Sequence, residues 1–428
     1  MTDSLELLSK GQMRALQDTL EGRSVFITGG AGVGKSFLIK TIKEKLEEKG
    51  KKVALTSSTG ISAINIGGNT IHSFCGTGLR GSVGELRSIN AETISRTRNY
   101  ITHFDTIIVD EVSMLSGDYL DMMDVWFQRV WKRQSPFGGR QMIFVGDLLQ
   151  LPPVITDKDL VSFKFAFQSD AWVMYDVREH FLTKIFRQED KETQHYLNCI
   201  RFGKVTDEVL KYFNSKVGAK LKDPEPTELY PLKKSVNQIN FDKLDKLPGK
   251  EWEYEATFTG EESWQQAIAK NTIADICVFL KVGAPVLFIK NNPDLGYFNG
   301  MKGFVRECKE ESVVVESVDG NVIEVGRETW EKKGNDGEVL ATMSQIPLIL
   351  GWAITIHKSQ GMTIEYLRCD LSGCFECGQA YTALSRMKSM DGLSLKKPIK
   401  RRDIKTSEEV IEYYRHLYKL KKNDINNK

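Results

Sequence analysis

Eight residues near the start of the chain, Gly29, Gly30, Ala31, Gly32, Val33, Gly34, Lys35 and Ser36, read GGAGVGKS and fit the pattern GxxxxGK[ST]. Glycines at this spacing let backbone N–H groups close around phosphate oxygens with no Cβ in the way, at the positive end of the helix that follows. Lys35 then reaches β- and γ-phosphates, and the Ser36 hydroxyl becomes a ligand for Mg²⁺. Further along, Ile107-Ile108-Val109-Asp110-Glu111 is an apolar run ending in two carboxylates. Asp110 suits the same cation through water, and Glu111 suits a general base that polarises an attacking water. A third run, Met142 to Val145, leads into Gly146-Asp147-Leu148-Leu149-Gln150-Leu151-Pro152-Pro153-Val154. There Gln150 can contact a γ-phosphate, and the stiff Pro-Pro pair can relay its position to a neighbouring surface.

Two arginines, Arg187 in FLTKIFRQ and Arg386 in YTALSRMKS, have the chemistry to stabilise a transferring phosphoryl group. An arginine taken at random serves a surface or an ion pair, so residue logic alone does not select these two. Thr59, Gly60, Thr70, His72 and Ser73 offer hydroxyls, backbone N–H groups and a ring suited to nucleic-acid phosphates, contacts that ignore base identity. His357, Lys358 and Gln360 offer the same from the second half of the chain. The competing reading of both histidines is a buried, hydrogen-bonded ring. Phe74 could stack on a base, although core packing is the commoner fate of an aromatic. Cys369, Cys374 and Cys377 echo an iron–sulfur spacing but lack a close fourth ligand, so ordinary thiols are expected.

The elements that must hold these groups follow from hydrophobic patterning. In the first half, short apolar runs at Val25–Thr28, Val53–Thr56, Ile107–Val109 and Met142–Val145 alternate with helical patterns such as Phe37–Leu46. This predicts a parallel sheet covered by helices, with the chemistry just past the strand ends. Between Gly76 and Asn99 the pattern turns polar and irregular and predicts a small insertion standing off that sheet. After DPEP near Asp223, β signals dominate to about Thr342: Pro285–Ile289, Phe304–Glu307, and Val313–Val318 joined through Asp319-Gly320 to Val322–Val325, a hairpin signal. A second α/β region then resumes, with strands at Ile346–Leu350, Tyr366–Leu371 and Leu393 and helices at Ala353–Lys358 and Gln379–Arg386. The amphipathic tail EEVIEYYRHLYKL is expected to dock on this second domain.

The 428 residues allow several domains of ordinary size, and 41% hydrophobic with 27% charged residues argues against wholesale disorder. A net charge of +2 leaves a nucleic-acid partner open, because a basic groove can sit on a nearly neutral protein. Seven scattered cysteines, no apolar leader and no run of eighteen apolar residues point to a soluble intracellular protein with no membrane partner. Cytoplasm is expected in a prokaryote; nucleus and mitochondrion stay open otherwise.

The order of segments resembles a superfamily-one DNA helicase of the petite-integration-frequency (Pif) family, in the RecD-like branch. The likeness runs through LSKGQ at Leu8–Gln12, GGAGVGKS, SSTGISAINIGGNTIHSF from Ser57, DEVSM from Asp110, FGG at Phe137–Gly139 and GDLLQLPPV from Gly146. It continues through FRQ at Phe186–Gln188, NNPDLGYFNGMKG from Asn291, WAITIHKSQGMT from Trp352 and GQAYTALSR from Gly378. The aromatic-rich helix over Tyr119–Val130 resembles that family's own signature region.

The resemblance implies an ATP-dependent, Mg²⁺-using helicase that moves 5′ to 3′ on single-stranded DNA and unwinds forked or tailed duplexes. Quadruplexes and RNA–DNA hybrids are further candidate substrates, genome maintenance is the setting, and a monomer is expected. Gln12 would recognise the adenine edge, Gly361 would lie near the nucleotide, and Arg187 and Arg386 would be the two fingers. The implied fold is α/β: RecA-like motor domain 1A over 1–183 with a wedge insertion 1B about 76–99, domain 2A over 184–235 and 341–428, and an SH3-like β-barrel insertion 2B over 236–340. Two rivals remain at this point: a nucleotide-dependent clamp that binds DNA without separating it, and an RNA-directed motor.

Overall fold

Apolar runs rich in β-branched residues, buried on both faces, make the central strands of the first half, as a helix-covered parallel sheet requires. β1 (Val25–Gly29), β2 (Val53–Ser57), β3 (Asn69–Thr70), β4 (Thr106–Asp110), β5 (Gln141–Gly146) and β6 (Arg178–Leu182) form one sheet. Their order is β3-β2-β4-β5-β1-β6, and every neighbouring pair is parallel. The computed structural model describes residues 7–77, 82–89, 91–153, 162–175, 177–186, 190–223, 225–272, 274–292, 294–333 and 339–426.

The chain divides into two compact units: Met1–Glu189 with Glu376–Gly378 and Thr406–Lys428, and Asp190–Phe375 with Gln379–Lys405. In the first, α1 (Lys10–Leu20) and α2 (Lys35–Glu48) bring Ala15, Leu16, Leu38, Ile39, Ile42 and Leu46 onto Val25, Ile27, Ile108, Ile143 and Val145. α1 begins at a reciprocal cap, Ser9 with Gln12. Two short helices follow β2 and β3, α3 (Gly60–Ile66) and α4 (Ile71–Cys75). The polar insertion supplies a 3-10 turn, Val83–Ser88, and α5 (Ala91–Ile101). It is tied to the next helix: Arg98 donates from Nε to the Val130 carbonyl at 2.9 Å and from Nη2 to the Arg129 carbonyl at 3.3 Å. These carbonyls close α6 (Gly117–Trp131), the aromatic-rich helix, so a cation sits at its negative end. Trp126 and Phe127 on α6 are fully buried.

The second unit carries β7 (Thr227–Tyr230) and then an antiparallel stretch: β8 (Trp252–Glu255), β9 (Thr257–Gly260), β10 (Cys277–Leu280), β11 (Pro285–Phe288), β12 (Lys302–Cys308), β13 (Ser312–Ser317), β14 (Val322–Gly326), β15 (Glu328–Lys333), β16 (Val339–Gln345) and β17 (Leu348–Leu350). The sheets run β14-β13-β12-β11-β17, β15-β16-β9 and β10-β8. Asp319-Gly320 turns β13 into β14, with Gly320 at φ 85° as such a turn needs. β18 (Ala353–Thr355) and β19 (Leu367–Cys369) flank β7 in parallel, and β20 (Leu393–Leu395) extends β19.

Three expectations change. Ala353–Thr355 is a strand rather than the start of a helix, because the buried, β-branched run of Ile354, Thr355 and Ile356 pairs along the edge of the β7 sheet. Leu348–Leu350 pairs antiparallel with β11 instead of opening the second parallel sheet. The last helix, Glu408–Asn426, packs on the first unit and not the second, with Val410, Ile411, Tyr414 and Leu417 buried. Among the described residues no helix is long and apolar enough to cross a membrane.

Candidate active site

Buried strands deliver the chemistry to one end of the first sheet. β1 runs straight into the glycine loop, where Gly32 and Gly34 take φ of 77° and 78°, conformations that a side chain resists. A Cβ on Gly34 would also stand 2.8 Å from Gln12 Nε2. Lys35 donates from Nζ to the carbonyls of Gly29 at 2.9 Å and Gly30 at 3.1 Å, so its charge is curled over the loop. Ser36 lies in the first turn of α2 beside it.

Gln12 is 1% exposed and joins α1 to this loop. Its Oε1 accepts the Ser9 N–H at 2.8 Å, while Nε2 donates toward the carbonyls of Val33 at 3.4 Å and Gly34 at 3.2 Å. The amide therefore braces the loop, and its oxygen keeps a second lone pair with which it could accept a hydrogen bond from an adenine amine.

Asp110 ends β4 and is buried. Its Oδ2 accepts the Ser62 hydroxyl at 2.9 Å and its Oδ1 accepts the Glu111 N–H at 2.9 Å. Burial pushes this carboxyl above its ordinary pKa, against the pull of the Ser62 hydroxyl, the Glu111 amide and the Lys35 charge. A divalent cation beside it would favour the charged form, and an oxygen pair of hydroxyl and carboxylate fits Mg²⁺, which keeps several of its own waters. Glu111 adopts φ 52° and ψ 42°, a left-handed conformation that costs a non-glycine residue on the order of 1 kcal/mol. The hydroxyl of Ser58 holds its carbonyl at 2.7 Å. Strain of this kind, held in place by neighbours, re-aims a carboxylate away from the strand direction.

Gly146 ends β5 in register with Thr28 of β1. Beyond it the buried Asp147 organises the next turn: its carbonyl accepts the Gln150 N–H at 2.9 Å, and its Oδ1 accepts the Leu149 N–H at 3.2 Å. Gln150 is thereby fixed in the turn that follows β5, the strand paired with β1. Neither Ser62 nor Asp147 stands out as functional in the sequence; a Ser closing SSTGIS in the first turn of α3 and an Asp opening a tight turn are the only signals available.

Of the residues of the first unit expected to meet nucleic-acid phosphates, Thr59 and Thr70 cap helices. Thr59 Oγ1 accepts the Ser62 N–H at 3.2 Å, ahead of α3, which begins at Gly60. Thr70 caps α4, accepting the Ser73 N–H at 3.3 Å and donating to Ser73 Oγ at 2.8 Å. The His72 ring packs on Tyr119 with centroids 4.4 Å apart, and burial lowers its pKa to about 4. It is therefore neutral at physiological pH and can meet a phosphate only as a hydrogen-bonding ring. Phe74 is not a stacking platform: it is 2% exposed and locked among Tyr100, Phe104 and Phe127, with centroids 5.5, 5.6 and 6.4 Å away. Core packing captured this aromatic because its helix turns that face inward.

In the second unit, β18 leads into a turn in which Lys358 N donates to Thr355 Oγ1 at 3.1 Å and Gln360 N to the His357 carbonyl at 3.2 Å. Lys358 Nζ lies 3.7 Å from Asp275, Gln360 is buried, and Gly361 takes φ 81°. Arg386, 2% exposed, donates to the carbonyls of Thr382 at 3.0 Å and Met362 at 3.4 Å and to Ser385 Oγ at 2.9 Å. Arg187 lies outside the described residues. Cys369 and Cys374 are buried thiols, with Cys374 pushed up to about 12, and all seven cysteines are free. Among the described residues no cluster of three or more His, Cys, Asp or Glu could hold a metal on protein ligands alone.

With this geometry in place, comparison with known proteins is informative. The profile of the family described as PIF1-like helicase matches residues 8–211. The chain is 34% identical over 388 residues to the ATP-dependent DNA helicase Pif1 of Bdellovibrio bacteriovorus, covering 91% of this chain and 87% of that one. It is similar to the crystal structure of Bacteroides sp Pif1 in complex with ADP-AlF4, at 30% identity and TM-score 0.82, covering 96% of this chain and 97% of that one. It is also similar to a solved structure of two coordinating Pif1 helicases on forked double-stranded DNA, at 30% identity and TM-score 0.69, covering 96% and 97%.

Proposed function

The chain belongs to the PIF1-like helicase family, and from that premise we propose that it is an ATP-dependent helicase that walks 5′ to 3′ on single-stranded DNA and unwinds forked or tailed duplexes. Its α/β fold is that of two RecA-like motors. The observation that carries the activity is the convergence, at one end of one parallel sheet, of Lys35, Ser36, Asp110, Glu111 and Gln150.

In this reading Lys35 leaves the Gly29 and Gly30 carbonyls for the β- and γ-phosphates of ATP, and loop N–H groups take the remaining oxygens. Ser36 and Asp110 would hold Mg²⁺, which would supply charge neutralisation when bound. Glu111 accepts the proton of the water that attacks the γ-phosphorus, and Gln150 contacts the γ-phosphate and reports its loss. Arg386 and Arg187 add positive charge to the transferring group. Thr59, Gly60, Thr70, His72 and Ser73 in one motor, and His357, Lys358 and Gln360 in the other, grip DNA phosphates; alternating the two grips once per ATP moves the strand. Gly361 lies near the nucleotide. Residues 76–99 supply the wedge.

The finer assignments are an intracellular monomer acting in genome maintenance, with quadruplexes and RNA–DNA hybrids as further substrates. Free thiols throughout accord with a reducing compartment. The decisive experiment follows ATP hydrolysis and strand displacement together on 5′-tailed, 3′-tailed and RNA-tailed duplexes. Hydrolysis stimulated by single-stranded DNA, displacement from the 5′-tailed duplex and loss of both in Lys35→Ala are expected. Hydrolysis without displacement identifies a clamp, and hydrolysis indifferent to every oligonucleotide removes the motor reading.

A further inference from the structure

The last helix, Glu408–Asn426, meets the first unit through three tyrosines in two different ways. Tyr413 and Tyr418 behave as docking groups. Tyr413 stacks on Phe167 with centroids 4.3 Å apart and accepts a hydrogen bond from Trp172 Nε1 at 3.1 Å; Tyr418 stacks on Phe181 at 4.5 Å. Tyr414 is 1% exposed, and its hydroxyl lies between the end of β1, which leads into the phosphate loop, and the turn that follows β5. It stands 2.6 Å from Thr28 Oγ1 and accepts the Leu148 N–H at 3.2 Å.

Both partners matter for what comes next to them in the chain. Thr28 immediately precedes Gly29, whose carbonyl takes the Lys35 ammonium. Leu148 lies between Asp147 and Gln150, in the turn that positions the γ-phosphate contact. Within the sheet, Gly146 and Thr28 are in register, so the ladder fixes β1 against β5 up to that level and no further. The Tyr414 hydroxyl extends that tie, bridging the Thr28 side chain in the last ladder pair to the Leu148 amide two residues beyond Gly146. A phenol can accept the amide and still share a hydrogen with the threonine hydroxyl, so one oxygen satisfies both.

We propose that Tyr414 is a positioning residue for ATP hydrolysis, setting the spacing between the phosphate loop and the turn that carries Gln150. The inference rests on the hydrolysis reading above. A group that acts this way contributes most when γ-phosphate contacts tighten, in the transition state, and little to binding of the diphosphate.

The test compares the chain with Tyr414→Phe, Thr28→Val, the double variant and Tyr413→Phe, the last removing a hydroxyl of the same helix that bonds Trp172 rather than Thr28 and Leu148. For Tyr414→Phe, about a tenfold fall in DNA-stimulated kcat with unchanged KM is expected, the scale of one lost buried hydrogen bond. Affinity for ADP should match wild type, while affinity for ADP with aluminium fluoride falls by a similar factor. Thr28→Val should show the same signature, and the double variant should lose no more than either alone, because both cut one bridge. Tyr413→Phe should keep wild-type kcat. Wild-type kcat in Tyr414→Phe overturns the inference, as does an equal loss in Tyr413→Phe, which would assign the effect to helix docking. An additive double variant overturns it too. A wild-type protein that hydrolyses no ATP on DNA removes the activity reading itself, an outcome distinct from active wild type with an equally active Tyr414→Phe.

Discussion

In the first unit the reactive groups stand at the ends of parallel strands and are braced by neighbours that leave their chemistry open: Lys35 over its loop, Asp110 between Ser62 and the Glu111 amide, Gln150 on the Asp147 turn. In the second unit the matching cation is folded inward. Arg386 is committed to Thr382, Met362 and Ser385 of its own unit and is almost fully buried. On the proposed function, the contrast separates a site assembled in advance from a charge that would have to be re-aimed, and re-aiming makes an arginine useful as a switch. An Arg guanidinium presents five donors in a rigid fork, so it can exchange carbonyl acceptors for phosphoryl oxygens without a change of protonation.

The largest expected effect tests the inward side of that contrast. Arg386→Ala should lower DNA-stimulated kcat by about 10³-fold if the guanidinium leaves its own unit during turnover. It should also destabilise the second unit by about 1–3 kcal/mol, since buried carbonyls lose their partner. Steady-state hydrolysis read beside thermal unfolding separates the two. A variant that melts early and hydrolyses normally makes Arg386 a staple and erases the contrast. Glu111→Gln is the counterpart on the preassembled side: about a 10²-fold loss of kcat with unchanged melting and unchanged affinity for single-stranded DNA, because only the proton acceptor is removed from a backbone already held in place. If Glu111→Gln instead lowers stability and spares turnover, its left-handed backbone is a fold feature and not an aimed base.

The same contrast explains what the sequence could reveal. The glycine loop was readable because its backbone demands glycine at Gly32 and Gly34, and β4 because an apolar run has to stop where carboxylates begin. The hairpin at Asp319-Gly320 was readable for the same local reason. Groups whose partners lie far along the chain were not: Ser62 and Asp110 are 48 residues apart, Thr28 and Tyr414 are 386. Amphipathicity announced the last helix but carries no information about which unit covers its apolar face. Phe74 and the strand at Ala353–Thr355 failed on a related point, since a short apolar stretch reads alike in a core, a helix or a strand until its neighbours are placed.

The smallest effect concerns His72, where the first unit holds a neutral ring among the residues proposed to grip DNA. Burial lowers its pKa from the ordinary 6.5 to about 4 in the folded chain. Between those values the unfolded chain takes up a proton that the folded chain refuses, so stability is complete above pH 6.5 and falls as pH drops toward 4. At pH 5 the loss is on the order of 1–2 kcal/mol, and below the folded value this group adds no further slope. His72→Gln should therefore flatten the dependence of the first unit's unfolding temperature between pH 7.5 and 5. Because the ring stays neutral across the working range, affinity for single-stranded DNA should vary between pH 8 and 6 no more in wild type than in His72→Gln, measured by fluorescence anisotropy at fixed salt. A wild-type affinity that climbs as pH falls toward 6, and does so only when His72 is present, would mean that DNA draws the ring out of its contact with Tyr119 and charges it. The first unit would then re-aim a cation as Arg386 is proposed to do, and the difference between the two units would be one of degree.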